Sequence, residues 1–277
     1  MPLHFVEYGP AGAPTIVFLH GGGGAGWMWR PQVEALKEEY HLLVPDLPEQ
    51  GESTDAGSFT MAGAAAQVAD LIRSRGTGGR AHVVGLSEGA QVGLQLLASE
   101  PSVVDHAVLS SAIVRALPGG GLTSEGALRW AYRSTIAPFR NVAWWIRLNM
   151  RSAAGVPDEY YEDFANSFRT LSESGFADLM LANQRFRLPA GLEQATAPTL
   201  AVVGAHEYAA MKGSAADIAA ALPNARAVQV HHPRKRSLAQ EHNWNLVEPG
   251  LFTETVRAWV RDEPLPRELE DLSVPTR

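Results

Sequence analysis

The chain has 277 residues, with 30 Asp and Glu against 23 Lys and Arg, so its formal net charge is −7. No basic stripe accompanies this acidic balance, which argues against nucleic acid and anionic membranes as its main partners. Cysteine is absent, and this excludes disulfides, thiolate metal sites and a cysteine nucleophile.

The chain starts without a charged segment followed by an apolar one, and no stretch reaches about 18 apolar residues. We therefore expect a soluble, cytoplasmic protein.

Apolar runs then alternate with helix-period segments. Strands are predicted at Leu3–Tyr8, Thr15–Leu19, Tyr40–Pro45, Ala81–Gly85 and Asp105–Ser110. Helices are predicted at Met28–Glu38, Thr60–Arg75 and Ser87–Ser99. Near-continuous hydrophobic strands separated by helices predict a parallel sheet covered on both faces, in an α/β fold.

Residues 115–195 interrupt this alternation, because they contain no β-rich run. Helices are predicted there at Ser124–Ala137, Asn141–Ser152, Asp158–Ser172 and Phe176–Phe186. A helical insertion between two halves of a parallel sheet favours a cap over a site at the carboxyl ends of the strands. The alternative is an ordinary packed helical layer. The predicted domains are a core of residues 1–114 and 196–277 and a cap of residues 115–195.

The alternation resumes after residue 195. Strands are predicted at Thr199–Gly204 and Ala225–His231, and helices at Ser214–Leu222 and Pro249–Arg261. The tail Asp262–Arg277 is rich in proline and charge, so we expect a surface extension there.

Residues 85–89 read Gly-Leu-Ser-Glu-Gly and stand between a predicted strand and a predicted helix. A serine at such a sharp turn has strained backbone geometry and an exposed hydroxyl, and small neighbours give the chain room to turn. The helix that follows directs backbone N–H groups toward whatever the serine attacks. The alternative is a glycine-rich turn capped by serine, but the strand and helix on either side favour Ser87 as a nucleophile.

A serine nucleophile needs a base, and the base needs an acid that orients it. Among nine histidines, His242 lies before the last predicted helix, where it can reach the carboxyl edge of the sheet. His206, in another loop after a strand, is its main rival. Glu207 follows the strand that ends at Gly204, and the order Ser87, Glu207, His242 matches one class of hydrolases.

Hydrolysis by serine also needs donors for the oxyanion. One is expected to be the backbone N–H of Glu88. The other is expected from the glycine run after His20, with Gly22 as the preferred residue. Such a run could cradle phosphate instead. No G-K-[ST] follows it, however, and no ribose-binding acid stands in a matching βαβ context.

Together these residues resemble the α/β-hydrolase superfamily over nearly the whole chain except the insertion and the tail. The motifs are the His20-Gly21 turn, the segment Asp-Leu-Pro-Glu-Gln-Gly-Glu-Ser at 46–53, the 85–89 pentapeptide, Gly204 with Glu207, and His242. Within 46–53, Glu49 and Gln50 stand where Gly and His are common in the family.

The resemblance implies an eight-stranded, mostly parallel sheet with a helical cap between strands six and seven, and no cofactor or metal. It implies Ser87 as nucleophile, His242 as base, Glu207 as acid, and an oxyanion hole from Gly22 and Glu88. Haloalkane dehalogenases and epoxide hydrolases have Asp at the position of Ser87, so the resemblance weighs against both activities.

The sequence thus predicts a serine hydrolase that cleaves a small carboxylic ester or lactone through an acyl-enzyme. The alternatives are C–C bond hydrolysis or a hydroxynitrile-lyase-like reaction with the same triad, and a ligand-binding receptor with a weak triad.

Glu88 is interpreted as a favourable charge at a helix N-terminus, or as a pocket carboxylate that repels anionic substrates. An aromatic substrate pocket is predicted from Trp27, Trp130, Trp144 and Trp145.

Overall fold

The computed structural model describes residues 2–116 and 124–272. Parts of two predicted segments, residues 117–123 of the insertion and 273–277 of the tail, lie outside the described residues. The described chain forms one eight-stranded sheet in the order β1-β3-β2-β4-β5-β6-β7-β8. The two edge strands, β1 and β8, pair antiparallel with β3 and β7, and the six inner strands are mutually parallel. The predicted fold class, a mostly parallel eight-stranded α/β sheet, is confirmed.

The strands are β1 Phe5–Tyr8, β2 Thr15–Leu19, β3 His41–Pro45, β4 Ala81–Leu86, β5 Val104–Ser110, β6 Thr199–Gly204, β7 Ala225–Val230 and β8 Leu269–Asp271. The helices of the sheet domain are α1 Arg30–Leu36, α2 Met61–Arg75, α3 Glu88–Ser99, α8 Ala209–Ala221, α9 Leu238–His242, α10 Trp244–Val247 and α11 Pro249–Val260. Between β5 and β6 lie α4 Glu125–Ala131, α5 Ala143–Leu148, α6 Tyr161–Thr170 and α7 Glu173–Arg185.

Alternate residues of the inner strands supply the two halves of the core. In β2, Val17 and Leu19 belong to the apolar cluster that includes α2, α3 and α8, while Ile16 and Phe18 belong to the cluster on the opposite face that includes α1 and α11. All four side chains are fully buried. Because successive side chains of a strand point to opposite faces, a strand that is hydrophobic throughout requires cover on both sides. This burial fixes the carboxyl ends of β4, β5 and β6 at one edge of the sheet.

The tail contains the last strand of the sheet, which the sequence did not reveal. Residues 269–271 pair with β7 through Val230, Gln229 and Val228. Only Leu269 of this strand is buried, so three residues carry too little alternation to identify a strand. The expectation of a plain surface extension was therefore wrong for this segment.

The helical insertion follows the fifth strand of this sheet, not the sixth. Five strands precede residue 115, and β6 begins at Thr199. The expected place between strands six and seven is corrected accordingly, because the eighth strand comes from the tail and not from the first half of the chain. Within residues 124–195 the structure has helices and turns but no strand.

The helices of the insertion lie against the edge of the sheet where β2 and β4 end. Trp27 donates its indole N–H to the Ser167 hydroxyl on α6 (3.0 Å), and Asn183 on α7 donates to Gln91 on α3 (3.0 Å). Arg30 forms an ion pair with Asp163 on α6 (2.9 Å). These contacts place α6 and α7 over the loops that follow the strands. No helix among the described residues is long and apolar enough to cross a membrane.

Candidate active site

Ser87 occupies a strained turn between β4 and α3. Its backbone has φ 55° and ψ −114°, a region that a residue with a Cβ adopts only where surrounding structure enforces it. Its N–H donates to the Ser110 carbonyl at the end of β5 (2.8 Å). A Cβ on Gly89 would overlap the Leu19 carbonyl, and a Cβ on Gly85 would overlap the backbone of Gly89. The glycines of the pentapeptide are therefore required by close backbone packing around the serine.

Glu207 and His242 come together at the same edge of the sheet. Nδ1 of His242 lies 2.8 Å from Oε1 of Glu207. The second carboxylate oxygen accepts the Gly204 N–H and the Ser111 hydroxyl, each at 2.8 Å. The Glu207 side chain is 4% exposed and that of His242 is 28% exposed. The acid is thus fixed inside the protein, while the imidazole reaches the space beyond it.

The contacts of Glu207 keep this buried carboxylate ionised. Burial alone would raise its pKa, but the hydrogen bond and charge of His242, the Gly204 N–H and the Ser111 hydroxyl outweigh burial and hold the pKa below its ordinary value. An ionised carboxylate at Nδ1 selects the tautomer with hydrogen on Nδ1. That tautomer leaves Nε2 of His242 as the nitrogen that can accept a proton.

His206, the rival base, pairs with a different carboxylate. Its Nδ1 lies 2.6 Å from Oε1 of Glu241, and its backbone N–H donates to Oε2 of Glu241 (2.8 Å). Glu241 is buried, whereas the His206 side chain is 76% exposed. Two His–Glu pairs therefore join the loop after β6 to helix α9. Each segment supplies one histidine and one glutamate. Only His242 of the two histidines lines the cavity that contains Ser87.

Residues 21–24, which we call the glycine loop, line this cavity beside Ser87. The loop is closed by a hydrogen bond from the Gly24 N–H to the Gly21 carbonyl (3.1 Å). His20, fully buried, lies with Nδ1 2.9 Å from the Gly21 carbonyl, and its Nε2 accepts the Leu47 N–H (2.9 Å). Burial lowers the pKa of His20, so the neutral ring holds the start of the loop.

Glu88 does not line the cavity, and its side chain is completely buried. Its Oε1 accepts the side-chain N–H of Gln50 (2.7 Å), and its Oε2 has no hydrogen-bond partner within the described part of the chain. Burial raises its pKa to about 8, although the Gln50 hydrogen bond acts in the opposite direction. The interpretation of Glu88 as a pocket carboxylate is corrected, because its side chain lies behind the glycine loop and not at the cavity. Glu88 does begin helix α3, as the other interpretation expects, but its burial favours the neutral carboxyl group over the charge.

This burial predicts a pH-dependent effect of Glu88→Gln on stability. A raised pKa means that the native state binds this proton more tightly than the unfolded state does. The stability of the wild type therefore falls relative to the variant as the pH rises from 4.5 to about 8. We expect Glu88→Gln to raise Tm at pH 8 by at least about 2–4 °C, the shift that 1 kcal/mol gives a domain of roughly this size. Scanning calorimetry at pH 4.5, 6 and 8 measures it, and a Tm difference that does not change with pH would contradict the burial of a neutral acid.

The cavity has a volume of about 540 Å³ and lies between the sheet edge and the helical insertion. Its apolar wall is Trp27, Met28, Ile136, Ala153, Ala154, Val156, Phe164, Phe168, Leu171, Phe176, Leu179 and Met180. Ser87, His242, Asn149 and Asn243 supply its polar side chains. No Asp, Glu, Lys or Arg lines it among the described residues. The lining of this space is thus uncharged and largely apolar.

Of the four tryptophans predicted for the pocket, only Trp27 lines the cavity. Trp130 is 69% exposed and Trp144 is 61% exposed, while Trp145 packs against Phe139 and Trp144. The prediction was wrong for these three residues. In α4 the buried residue is Leu128 and in α5 it is Ile146. Residues two positions away lie about 200° around a helix of 3.6 residues per turn and face the opposite side.

Several residues around the site were missed by sequence reasoning. Ser111 follows β5 directly, so its place at the same sheet edge as Glu207 was available from the predicted strands. The sequence marked Gln50 only as a departure from the family pattern and gave no signal for Glu241, because their contacts join segments that are distant in the chain. The described residues contain no cluster of three or more His, Asp or Glu side chains that could hold a metal ion.

Comparison with known proteins identifies the family. A family model for the alpha/beta hydrolase fold matches residues 14–233. The chain belongs to the α/β-hydrolase family. The matched region includes Ser87 and Glu207 and ends before His242.

Individual proteins are similar to this α/β hydrolase over nearly its whole length. A Gibberella zeae protein named AB hydrolase superfamily protein is 23% identical over 270 residues, which cover 92% of this chain and 83% of that protein. A Serratia proteamaculans protein named as the carbamate hydrolase RutD is 26% identical over 266 residues, which cover 91% and 96%. An enol-lactonase structure from Burkholderia xenovorans superposes with a TM-score of 0.72 at 22% identity, and covers 94% and 96%. The structural likeness shows the fold, and the family and the names of the relatives support a hydrolase with a small-molecule substrate.

Proposed function

We propose that this α/β hydrolase is a serine hydrolase that cleaves a small carboxylic ester or lactone through an acyl-enzyme. The observation that carries the proposal is the shared cavity. Ser87, on its strained turn, and His242, held at Nδ1 by the buried Glu207, line the same space. Nucleophilic catalysis by serine needs these three parts: a nucleophile, a base and a group that orients the base. Residues 1–114 and 196–277 are the catalytic core in this proposal, and residues 115–195 are the cap.

In the proposed reaction, the Ser87 hydroxyl oxygen attacks the carbonyl carbon of the bound ester. Nε2 of His242 takes the hydroxyl proton, and Glu207 stabilises the imidazolium that forms. The oxyanion accepts hydrogen bonds from the backbone N–H groups of Gly22 and Glu88, which are fixed before the reaction starts. His242 then gives its proton to the leaving alcohol oxygen as the carbon–oxygen bond breaks, and the acyl group remains on Ser87.

Water completes the cycle. His242 removes a proton from a water molecule, which attacks the acyl carbonyl and forms a second oxyanion in the same place. Collapse of that intermediate breaks the bond to the Ser87 oxygen, and the proton on His242 returns to Ser87. The products are a carboxylic acid and an alcohol, or one hydroxy acid when the substrate is a lactone.

The cavity wall supports a neutral, apolar substrate. A charged group placed among Phe164, Phe168 and Phe176 would lose its hydration and meet no opposite charge from the cavity lining. One similar structure is named an enol-lactonase and one relative a carbamate hydrolase. Lactones and carbamates both carry a carbonyl bonded to a heteroatom, which is the group that this site is arranged to attack.

Rapid-quench kinetics with p-nitrophenyl butyrate tests the proposal. We expect a burst of nitrophenol close to the enzyme concentration, together with a butyryl mass increase on the peptide that contains Ser87. The p-nitrophenyl hemisuccinate ester, of similar length but anionic, is expected to react at least about tenfold more slowly, because 1.4 kcal/mol of lost binding corresponds to tenfold.

Other outcomes would favour the alternatives. Turnover of a C–C substrate or a cyanohydrin without an acyl adduct would replace ester hydrolysis by the lyase-like reaction. Thermal stabilisation by ester analogues without any release of nitrophenol would indicate a receptor. Equal rates for the two esters would contradict the proposed charge preference.

A further inference from the structure

Two unusual residues of the chain, Gln50 and Glu88, contact each other. Gln50 stands at a position where the family often has His, and Glu88 places a carboxyl group directly after the proposed nucleophile. Both side chains are buried, with Gln50 3% exposed and Glu88 completely covered. The Gln50 Nε2 donates to Glu88 Oε1 at 2.7 Å. Each of these two buried side chains therefore provides a hydrogen-bond partner for the other.

Gln50 also contacts the glycine loop. Its Oε1 accepts the backbone N–H of Gly23 at 2.6 Å. This contact fixes the orientation of the Gln50 amide, since the oxygen must face the Gly23 N–H and the NH₂ group must then face Glu88. The amide thus joins the residue after Ser87 to the loop on the other side of the proposed oxyanion hole.

Glu88 also lies directly against the glycine loop. A Cβ added to Gly22 would lie 3.0 Å from Glu88 Oε2, so this carboxyl oxygen supports the loop residue whose N–H is assigned to the oxyanion. Oε2 itself has no hydrogen-bond partner among the described residues. In residues 2–116 and 124–272 no charged side chain balances the carboxyl group, whose pKa responds to burial and to Gln50. A neutral carboxyl group suits this position because a negative charge there would oppose the oxyanion that the Glu88 N–H is expected to bind.

We propose that Gln50 and Glu88 are positioning residues that together hold the glycine loop in the geometry that receives the oxyanion. The inference rests on the proposed function, because the role of the loop is part of that proposal. The two side chains act through the backbone and touch no reacting atom. An oxyanion donor is effective only when its N–H is fixed at hydrogen-bond distance from the oxyanion. Loss of the pair is therefore expected to lower kcat and to leave KM nearly unchanged.

Substitutions by methionine test the pair, because methionine keeps the length of Gln and Glu but removes these hydrogen bonds. We expect Gln50→Met and Glu88→Met to lower kcat for p-nitrophenyl butyrate by about 10- to 100-fold, less than the 10²–10³-fold loss of an entire oxyanion donor. KM is expected to stay within about twofold, as for an interaction that acts in the transition state. Amide hydrogen exchange of the peptide containing residues 21–24 is expected to accelerate in both variants. Glu88→Gln keeps a neutral acceptor for Gln50, so it is expected to lose less kcat than Glu88→Met and to exchange residues 21–24 more slowly than Glu88→Met does.

Gln32→Met is the matched control. Gln32 is also buried and donates to the Asn245 carbonyl at 2.8 Å, a hydrogen bond that does not involve the glycine loop. It should lose stability without a change in exchange of residues 21–24. If Gln50→Met does not fold, Gln50→Leu provides the same test with a shorter side chain.

Unchanged exchange of residues 21–24 in a folded Gln50 variant would overturn the inference. So would a loss of kcat in Glu88→Gln as large as that in Glu88→Met. The exchange measurement does not depend on catalysis. If the wild type forms no acyl-enzyme but Gln50→Met accelerates exchange, the proposed function fails while the support of the loop by Gln50 stands.

Discussion

Replacing Ser87 with alanine is expected to lower kcat for p-nitrophenyl butyrate by about 10⁴–10⁶-fold, as the loss of a serine nucleophile does in other hydrolases. The variant retains the cavity, His242 and the backbone donors, so substrate binding is expected to persist and KM to change little. Alanine also fits the same turn without its hydroxyl, although the positive φ of residue 87 stays strained. Steady-state kinetics measures the residual rate above that of controls that lack the active site. Mass spectrometry should detect no butyryl adduct.

Ser99→Ala is the matched control for this experiment. Ser99 ends the same helix, α3, and its hydroxyl donates to the Gln95 carbonyl on an exposed surface. We expect the control to keep wild-type kinetics. A Ser87→Ala variant that retains more than about 1% of wild-type kcat would contradict a nucleophilic role. Such a variant would have lost only about 100-fold in kcat, whereas the expected loss is at least about 10⁴-fold.

Replacing Glu207 with glutamine is expected to lower kcat by about 10³–10⁴-fold, with the shape of the site retained. The carboxylate accepts hydrogen from Nδ1 of His242 and thereby selects the productive tautomer. A glutamine at this position can turn its NH₂ group toward Nδ1, which favours the tautomer with hydrogen on Nε2. That tautomer cannot accept a proton from Ser87. The measurement is kcat between pH 6 and 9, with Tm to confirm that the variant is folded.

Glu241→Gln distinguishes the two His–Glu pairs. Glu241 is equally buried and binds His206, whose exposed ring does not line the cavity. We expect this variant to lose less than about tenfold in kcat, because its carboxylate positions α9 without orienting the base. A loss in Glu241→Gln as large as that in Glu207→Gln would assign the base to His206 or to both pairs acting together.

The crossed arrangement of the two pairs gives Glu207 and His242 a common support. His206 and Glu207 are neighbours after β6, and Glu241 and His242 are neighbours at the end of α9. The Glu241–His206 contact therefore holds the same two segments together as the Glu207–His242 contact. Groups that must stay within hydrogen-bond distance benefit from such support by adjacent contacts.

The sequence by itself determined the parallel part of the sheet and the place of Ser87. Strand and helix periods are local properties, so the parallel core could be predicted from hydrophobic alternation and the spacing of its helices. The pentapeptide at 85–89 also has a local cause, because the turn needs small residues on both sides of the serine. Chain order then selected Glu207 and His242 as its partners, and the structure places those two side chains in contact.

Only the tertiary structure decided which side chains face the cavity and which charges persist inside the protein. Trp130 and Trp144 are directed outward by the rotation of their helices, which depends on how the insertion packs on the core. Strand β8 is too short to show a period and forms because β7 offers an edge. The pairing of Gln50 with Glu88 joins two loops 38 positions apart in the chain. Burial of Glu88 shifts its pKa because desolvation is a property of the folded surroundings and not of the sequence around residue 88.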